Sequence, residues 1–141
     1  MAQSSVDWSP EFIPDQDVLY LAVPNLYLKV DNTHISKSCF KPKGEGLSTN
    51  WSKYATAQET RDQRSIPGNF GVLQMGVGAV RNVTHNDPLK VEHKPDPSRN
   101  NRAHSEIMGL RTTRSDLNEI RTALKSISKW AIIWQPEHLN Q

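Results

Sequence analysis

The clearest periodicity in the chain lies near its C-terminal end. Apolar residues recur there at steps of three and four, which places them on one face of a helix: Leu117, Ile120, Leu124, Ile127 and Ala131. Ser115 precedes this pattern and belongs to the residue types favoured at helix N-caps, so we expect the helix to begin there. Trp130 to Trp134 is apolar on all sides, and it either extends the helix into the core or forms a closing strand before Pro136.

Short β-favouring segments separated by turns fill most of the chain before this helix. Strands are predicted at 18–23, 26–30, 47–51, 70–80 and 89–93, and residues 107–110 form a short strand or a turn. A capping box at Thr56 and Glu59 predicts one short helix that ends at about Gln63. Because strands come first and a helix closes the chain, we predict an α+β fold with a mostly antiparallel sheet packed by the C-terminal helix.

The best candidate for a central strand is the segment 70–80, which Gly71, Gly76 and Gly78 interrupt. Glycines inside a strand mark a bulge or a place where a ligand or another backbone approaches closely. We favour a helix that packs tightly over a glycine floor, with ligand binding at these glycines as the alternative.

The chain has 141 residues, the size of one ordinary domain, which we assign to residues 17–141. Residues 1–16 are polar and interrupted by prolines, which predicts a flexible N-terminal arm. Trp8, Phe12 and Ile13 could dock this arm onto the domain.

Composition excludes several classes of protein. The single cysteine, Cys39, cannot form a disulfide within the chain, and we expect it to be a small buried residue. A net charge of +2 is too small to indicate nucleic-acid binding by itself. No basic and apolar N-terminal signal stretch and no long apolar run is present, so we expect a soluble, cytoplasmic protein without a membrane partner.

Residues 91–107 hold the densest run of chemically capable side chains. His93 ends a predicted strand, and His104 and Glu106 would share one face of an extended backbone. The three side chains are candidates for acid/base catalysis or for a facial metal set, although their spacing matches no named metal motif. We favour structural roles, in which His93 is a half-buried strand residue and His104 holds the loop by hydrogen bonds. We expect no metal and no cofactor.

Basic residues cluster in and after the same run, where Lys94 is followed by Arg99, Arg102, Arg111 and Arg114. Guanidinium groups suit phosphate and carboxylate, because their planar donors can bind two oxygens at once. Together with Trp51 and Tyr54, these residues would make an RNA or nucleotide surface, and a solvated basic loop is the alternative. The residues assigned to ligand binding are Arg99, Arg102, Asn101, Ser48 and Trp51.

Two parts of the chain together resemble a set of small uncharacterised bacterial and phage-associated domains, to which no established activity is attached. One part is Phe40 followed by Leu47-Ser48-Thr49-Asn50-Trp51, and the other is Val91-x-His93-x-Pro95 leading to Asn101-Arg102-Ala103-His104-x-Glu106-Ile107. A weaker similarity links the chain to small ADP-ribosyltransferase-like folds. It would assign roles to Tyr20 or Tyr27, to Ser48 and to Glu106, but the early arginine or histidine of those folds has no counterpart here.

These observations favour a small accessory or binding domain that recognises a protein partner or a phosphate-containing ligand through residues 94–104 and their arginines. The expected partner is a protein or a larger complex, with RNA or a nucleotide as the alternative. The alternative function is a small enzyme on a phosphate-containing substrate (a nuclease, a phosphotransferase or an ADP-ribosyltransferase-like enzyme) with His93 and His104 as acid and base. That function requires the two imidazoles to share one pocket, within roughly 8 Å of each other.

Overall fold

One antiparallel sheet organises the computed structural model, which describes residues 8–42, 44–84, 87–110 and 112–136. Within these ranges six strands are arranged in the order β4-β5-β2-β1-β3-β6. The strands are β1 (Val18–Pro24), β2 (Gly46–Trp51), β3 (Phe70–Gly76), β4 (Lys90–His93), β5 (His104–Met108) and β6 (Ser128–Ile132). The helices are α1 (Ala57–Asp62), α2 (Val77–Arg81) and α3 (Arg114–Ile127). The predicted α+β class with a C-terminal helix on the sheet is confirmed.

The core lies on one face of the sheet because the strands alternate. In β1 the residues Leu19, Leu21 and Val23 are buried, while those between them are half-buried. Helices α2 and α3 contribute their own buried residues to the same apolar cluster. The short helix α1 covers part of the opposite face, where Thr60 bonds to Asn50 of β2.

The closing helix begins and ends differently from the sequence prediction. Its N-cap is Thr113 and not Ser115, since the Thr113 side chain accepts a hydrogen bond from the Asp116 amide at 3.2 Å. Ile120 and Leu124 are buried as predicted. The helix stops at Ile127, so the predicted helical position of Ala131 is wrong, and the closing-strand alternative for this segment is the one that forms.

The predicted strand at 26–30 is wrong. Residues Asn25–Tyr27 form a single 3₁₀ turn, and Leu28 is buried while Val30 is fully exposed. Both edges of the preceding strand β1 are already paired, with β2 on one side and β3 on the other. A further strand therefore has no free edge to join at this point.

The segment 70–80 is a strand only as far as Gly76, and Val77–Arg81 forms helix α2. Two of its glycines, Gly71 and Gly78, make room for other parts of the chain and not for an overlying helix. A Cβ at Gly71 would lie 3.1 Å from the Ile132 carbonyl oxygen of the neighbouring strand. A Cβ at Gly78 would lie 3.2 Å from Asp15 of the N-terminal arm.

The second half of the N-terminal arm is part of the domain. Ile13 is 1% exposed and belongs to the core cluster, whereas Trp8 is half-buried and Phe12 is 77% exposed. Residues 1–7, the first part of the predicted flexible arm, lie outside the described residues. In the described ranges, no helix combines the length and apolarity needed to cross a membrane.

The two candidate caps of α3 give a matched pair of substitutions. We expect Thr113→Ala to lower the free energy of unfolding by about 1 kcal/mol, because the Asp116 amide loses its acceptor. Ser115→Ala should change it by no more than about 0.5 kcal/mol, since Ser115 stands inside the first turn. Urea denaturation followed by circular dichroism measures both, and an equal loss in the two variants would contradict the assignment of Thr113 as the cap.

Candidate functional site

The connection between β4 and β5 is a tightly braced loop. The Asp96 side chain accepts hydrogen bonds from the Ser98 amide at 3.1 Å and the Ser98 hydroxyl at 2.6 Å. The hydroxyl bond is the main cause that lowers the pKa of the Asp96 carboxyl below its ordinary value. Asn100 adopts the left-handed conformation with φ 52°, which asparagine tolerates better than most residues. Backbone bonds between Asp96 and Asn101 close the loop.

A network of side-chain amides ties this loop to the sheet and to α1. Asn101 donates to the Asn50 carbonyl oxygen at 2.9 Å, and Asn50 donates to Thr60 at 3.0 Å and to Gln63 at 2.9 Å. The Asn101 oxygen in turn accepts from the Ala103 amide at 3.2 Å. Asn101 was predicted to bind a ligand, and in the structure its side chain positions the loop.

His93 is enclosed in the domain at 4% exposure. Its Nδ1 accepts a hydrogen bond from the Glu11 amide at 3.0 Å, and its Nε2 donates to the Arg102 carbonyl at 2.7 Å. The ring stacks on Tyr54 at 5.9 Å and meets the edge of Trp51 at 5.0 Å. Both nitrogens are therefore satisfied by the main chain, which fixes one neutral tautomer.

His104 lies on the opposite face of the sheet. Successive residues of β5 point to opposite faces of the sheet, and Ser105, which is next to His104, is the residue paired with His93. His104 Nδ1 donates to the Lys94 carbonyl at 2.8 Å, and its Nε2 lies 3.4 Å from the Ser48 hydroxyl. The sheet thus separates the two imidazoles, and a single substrate cannot bridge them.

The proposed facial metal set is divided in the same way. Glu106 shares the face of His104, with 3.9 Å between His104 Nε2 and Glu106 Oε2, while His93 is on the other side. Among the residues that the structure describes, no group of three or more His, Cys, Asp or Glu side chains is arranged to hold a metal ion.

The basic residues do not all point to one surface. Arg99 has a side chain that is 84% exposed and a long ion pair of 3.7 Å with Asp96. The Arg102 guanidinium stacks over the ring of Tyr54 at 4.4 Å. Lys94 instead extends over the His104 face, where its ammonium lies 3.5 Å from Glu106. Arg114 stands at the start of α3, and Arg111 lies outside the described residues.

The remaining candidates are placed in two different environments. Trp51 is 1% exposed, and its indole N–H donates to Asp17 at 2.8 Å, so its ring is core and cannot stack on a ligand. Ser48 is exposed and is the register partner of Glu106. Tyr20 is on the same sheet face as Ser48, whereas Tyr27 belongs to the 3₁₀ turn after β1. Cys39 is buried, as predicted, and burial raises the pKa of its thiol.

The most concentrated set of charged contacts is one that the sequence did not indicate. We call it the Glu11 cluster; its members are Glu11, Lys53, Tyr54 and Arg102. The Glu11 carboxylate lies 2.6 Å from the Lys53 ammonium, accepts a short hydrogen bond from the Tyr54 hydroxyl and is 3.9 Å from the Arg102 guanidinium. The bond from Lys53, followed by that from Tyr54, lowers the pKa of Glu11, and the same carboxylate raises the pKa of Lys53.

Only Arg102 of this cluster was a predicted site residue, although Tyr54 was expected to lie near the arginines. Glu11 and Lys53 are 42 residues apart, and no motif links them. The one local signal is the Lys53-Tyr54 pair, which follows the last residue of strand β2 after a single serine and puts a cation and an aromatic ring at the end of that strand.

Comparison of the chain with protein-family models, with curated proteins and with solved structures gave no match. The interpretation of the site therefore depends on its geometry alone.

The contrast between the two histidines can be measured by substitution. We expect His93→Ala to lower the free energy of unfolding by about 2–4 kcal/mol, because it leaves a cavity and two main-chain groups without partners. His104→Ala should cost less than about 1 kcal/mol, since the side chain is partly exposed and water can replace its bonds. Chemical denaturation of both variants is the measurement, and a stable His93→Ala protein would contradict the structural role of His93.

Proposed function

We propose that this protein is a binding domain that recognises an anionic group of a partner through Arg102 and Arg99 on the loop 94–104. The observation that carries the proposal is the stacking of the Arg102 guanidinium on Tyr54 at 4.4 Å while 44% of the Arg102 side chain remains exposed. An arginine held in this way keeps outward-facing donors available for a carboxylate or a phosphate.

The rigidity of the loop supports the same function. Ordering a flexible loop on binding consumes part of the interaction free energy, so a loop that is already ordered binds more tightly. Here the Asp96 turn and the Asn50–Asn101 amide bond hold the loop before any partner arrives. Arg99 projects from this fixed frame with most of its side chain in water.

The enzymatic alternative has less support. It needs His93 and His104 in one pocket, and the two rings lie on opposite faces of the sheet. His93 also has both ring nitrogens bonded to main-chain groups, which leaves no nitrogen for a substrate.

A partner that is a protein or part of a larger complex, located in the cytoplasm, fits the binding function that we propose.

The proposal is tested with the double variant Arg99→Ala/Arg102→Ala. Its control is Lys41→Ala/Lys129→Ala, which removes the same charge from exposed positions outside the loop, Lys129 being on the far edge strand β6. The probes are a labelled single-stranded RNA 12-mer and a labelled glutamate-rich peptide, measured by fluorescence anisotropy at several salt concentrations. We expect the arginine variant to weaken binding of at least one probe by about tenfold or more, because two charge-assisted bonds are lost.

The control variant should stay within about twofold of the unmodified protein, since only diffuse charge has changed. Binding of neither probe, or equal losses in the two double variants, would overturn the proposal.

A further inference from the structure

The N-terminal arm is held to the domain at two separate places. At the first, Arg81 donates to the Ile13 carbonyl at 2.6 Å and pairs with Asp15, and the Gly78 amide donates to the Asp15 carbonyl at 3.0 Å. Together with the burial of Ile13, these bonds anchor the arm on α2. The second place is Glu11, whose hydrogen bonds and ion pairs in the described part of the chain are with the other members of the Glu11 cluster and with His93. Release of Glu11 therefore leaves the bonds of the α2 anchor intact.

Glu11 satisfies a composite set of groups. Its carboxylate faces one ammonium, one phenol hydroxyl and one guanidinium, from Lys53, Tyr54 and Arg102. Its backbone amide fills the acceptor Nδ1 of His93 at 3.0 Å. The cluster and His93 thus offer three donors to an anion and, beside them, one acceptor to an N–H. This arrangement is complementary to an acidic amino acid within an extended peptide. A phosphodiester group has no donor of its own for His93 Nδ1, whereas an acidic residue in a peptide carries its N–H and its carboxylate together, so this combination favours a peptide over a nucleic acid.

We propose that the Glu11 cluster is a recognition site for an acidic residue of a partner's extended peptide, and that Glu11 is an internal occupant which the partner displaces. This inference rests on the proposed function, because Arg102 belongs to both. It adds the chemical class of the ligand, a non-proline residue with a carboxylate side chain, and a regulatory device, since the arm competes with the partner for the same donors.

The exposure of the cluster is compatible with exchange. The side chains of Lys53, Arg102 and Glu11 are 48%, 44% and 28% exposed, so water and a ligand can reach all three. Exposed ion pairs contribute little to stability, so the Glu11 carboxylate can leave its partners at a small cost in free energy while the anchor on α2 keeps the arm in place. An occupant attached to the same chain competes at a high effective concentration, which lowers the apparent affinity for an external peptide.

The experiment uses the full chain and a labelled peptide that copies residues 8–15, together with the same peptide carrying glutamine in place of its glutamate. The protein variants are Glu11→Ala, which removes the internal carboxylate, and Glu45→Ala, a control that removes an exposed carboxylate elsewhere. We expect Glu11→Ala to bind the glutamate peptide about tenfold more tightly than the unmodified protein, because the competing internal carboxylate is gone. The control should bind like the unmodified protein, and the glutamine peptide should bind at least about tenfold more weakly to Glu11→Ala, since its charge-assisted bonds are missing.

A second set of variants keeps the test decisive. In the Glu11→Ala background, Lys53→Ala and Tyr54→Phe should each weaken binding of the glutamate peptide, whereas both changes leave Arg99 unaltered and keep the ring on which Arg102 stacks. Equal binding of the two peptides, or no gain in affinity from Glu11→Ala, overturns the internal-occupant proposal even where Arg99→Ala/Arg102→Ala has supported the proposed function. A gain in affinity for the RNA 12-mer without a gain for the peptide also overturns it, because the ligand would then be a nucleic acid.

Discussion

The alternation of side chains along β2 and β5 is the constraint on which the site depends. In β2, Leu47 and Trp51 enter the core, while Ser48 is exposed on the other face and Asn50 bonds to α1 there. Since β5 pairs with β2 in register, its residues are divided in the same way, with Ile107 inside and His104 outside. This period of two decides which chemically capable residues can act together, because a sheet does not let side chains cross from one face to the other.

Local patterns predicted the elements whose stability is local. The capping box at Thr56 and the buried face of α3 are where periodicity and capping rules place them. The predictions fail where the local structure depends on a partner that is distant in sequence. The alternating segment 26–30 has the pattern of a strand, but the two edges of β1 are taken, so Leu28 is buried and Tyr27 packs partly against the core, while Leu26 and Val30 stay exposed. Strand formation depends on a free edge, and a single segment does not contain that information.

The candidate site follows the same division. Residues 94–104 could be identified from composition, because prolines, asparagines and arginines in one long connection are typical of a functional loop. The roles of Asn101 and His93 could not be predicted from the sequence, since they depend on partners that are 51 and 82 residues away. Separation in sequence also hides Glu11, because Lys53 is 42 residues away and His93 is 82 residues away. In isolation, Glu11 is one charged residue between a proline and a phenylalanine.

His93 connects the arm, the loop and the core through one buried ring. Its Nδ1 contacts the arm, its Nε2 contacts the Arg102 carbonyl, and its ring faces pack on aromatic side chains. A buried ring nitrogen that loses its partner costs free energy, so the site favours any occupant that supplies an N–H in place of the Glu11 amide. The ring that accepts the N–H of the occupant also positions the backbone of Arg102. One buried ring, whose position in the core leaves it little freedom to move, thus holds the site of the arm and the backbone of the recognition loop at a fixed spacing.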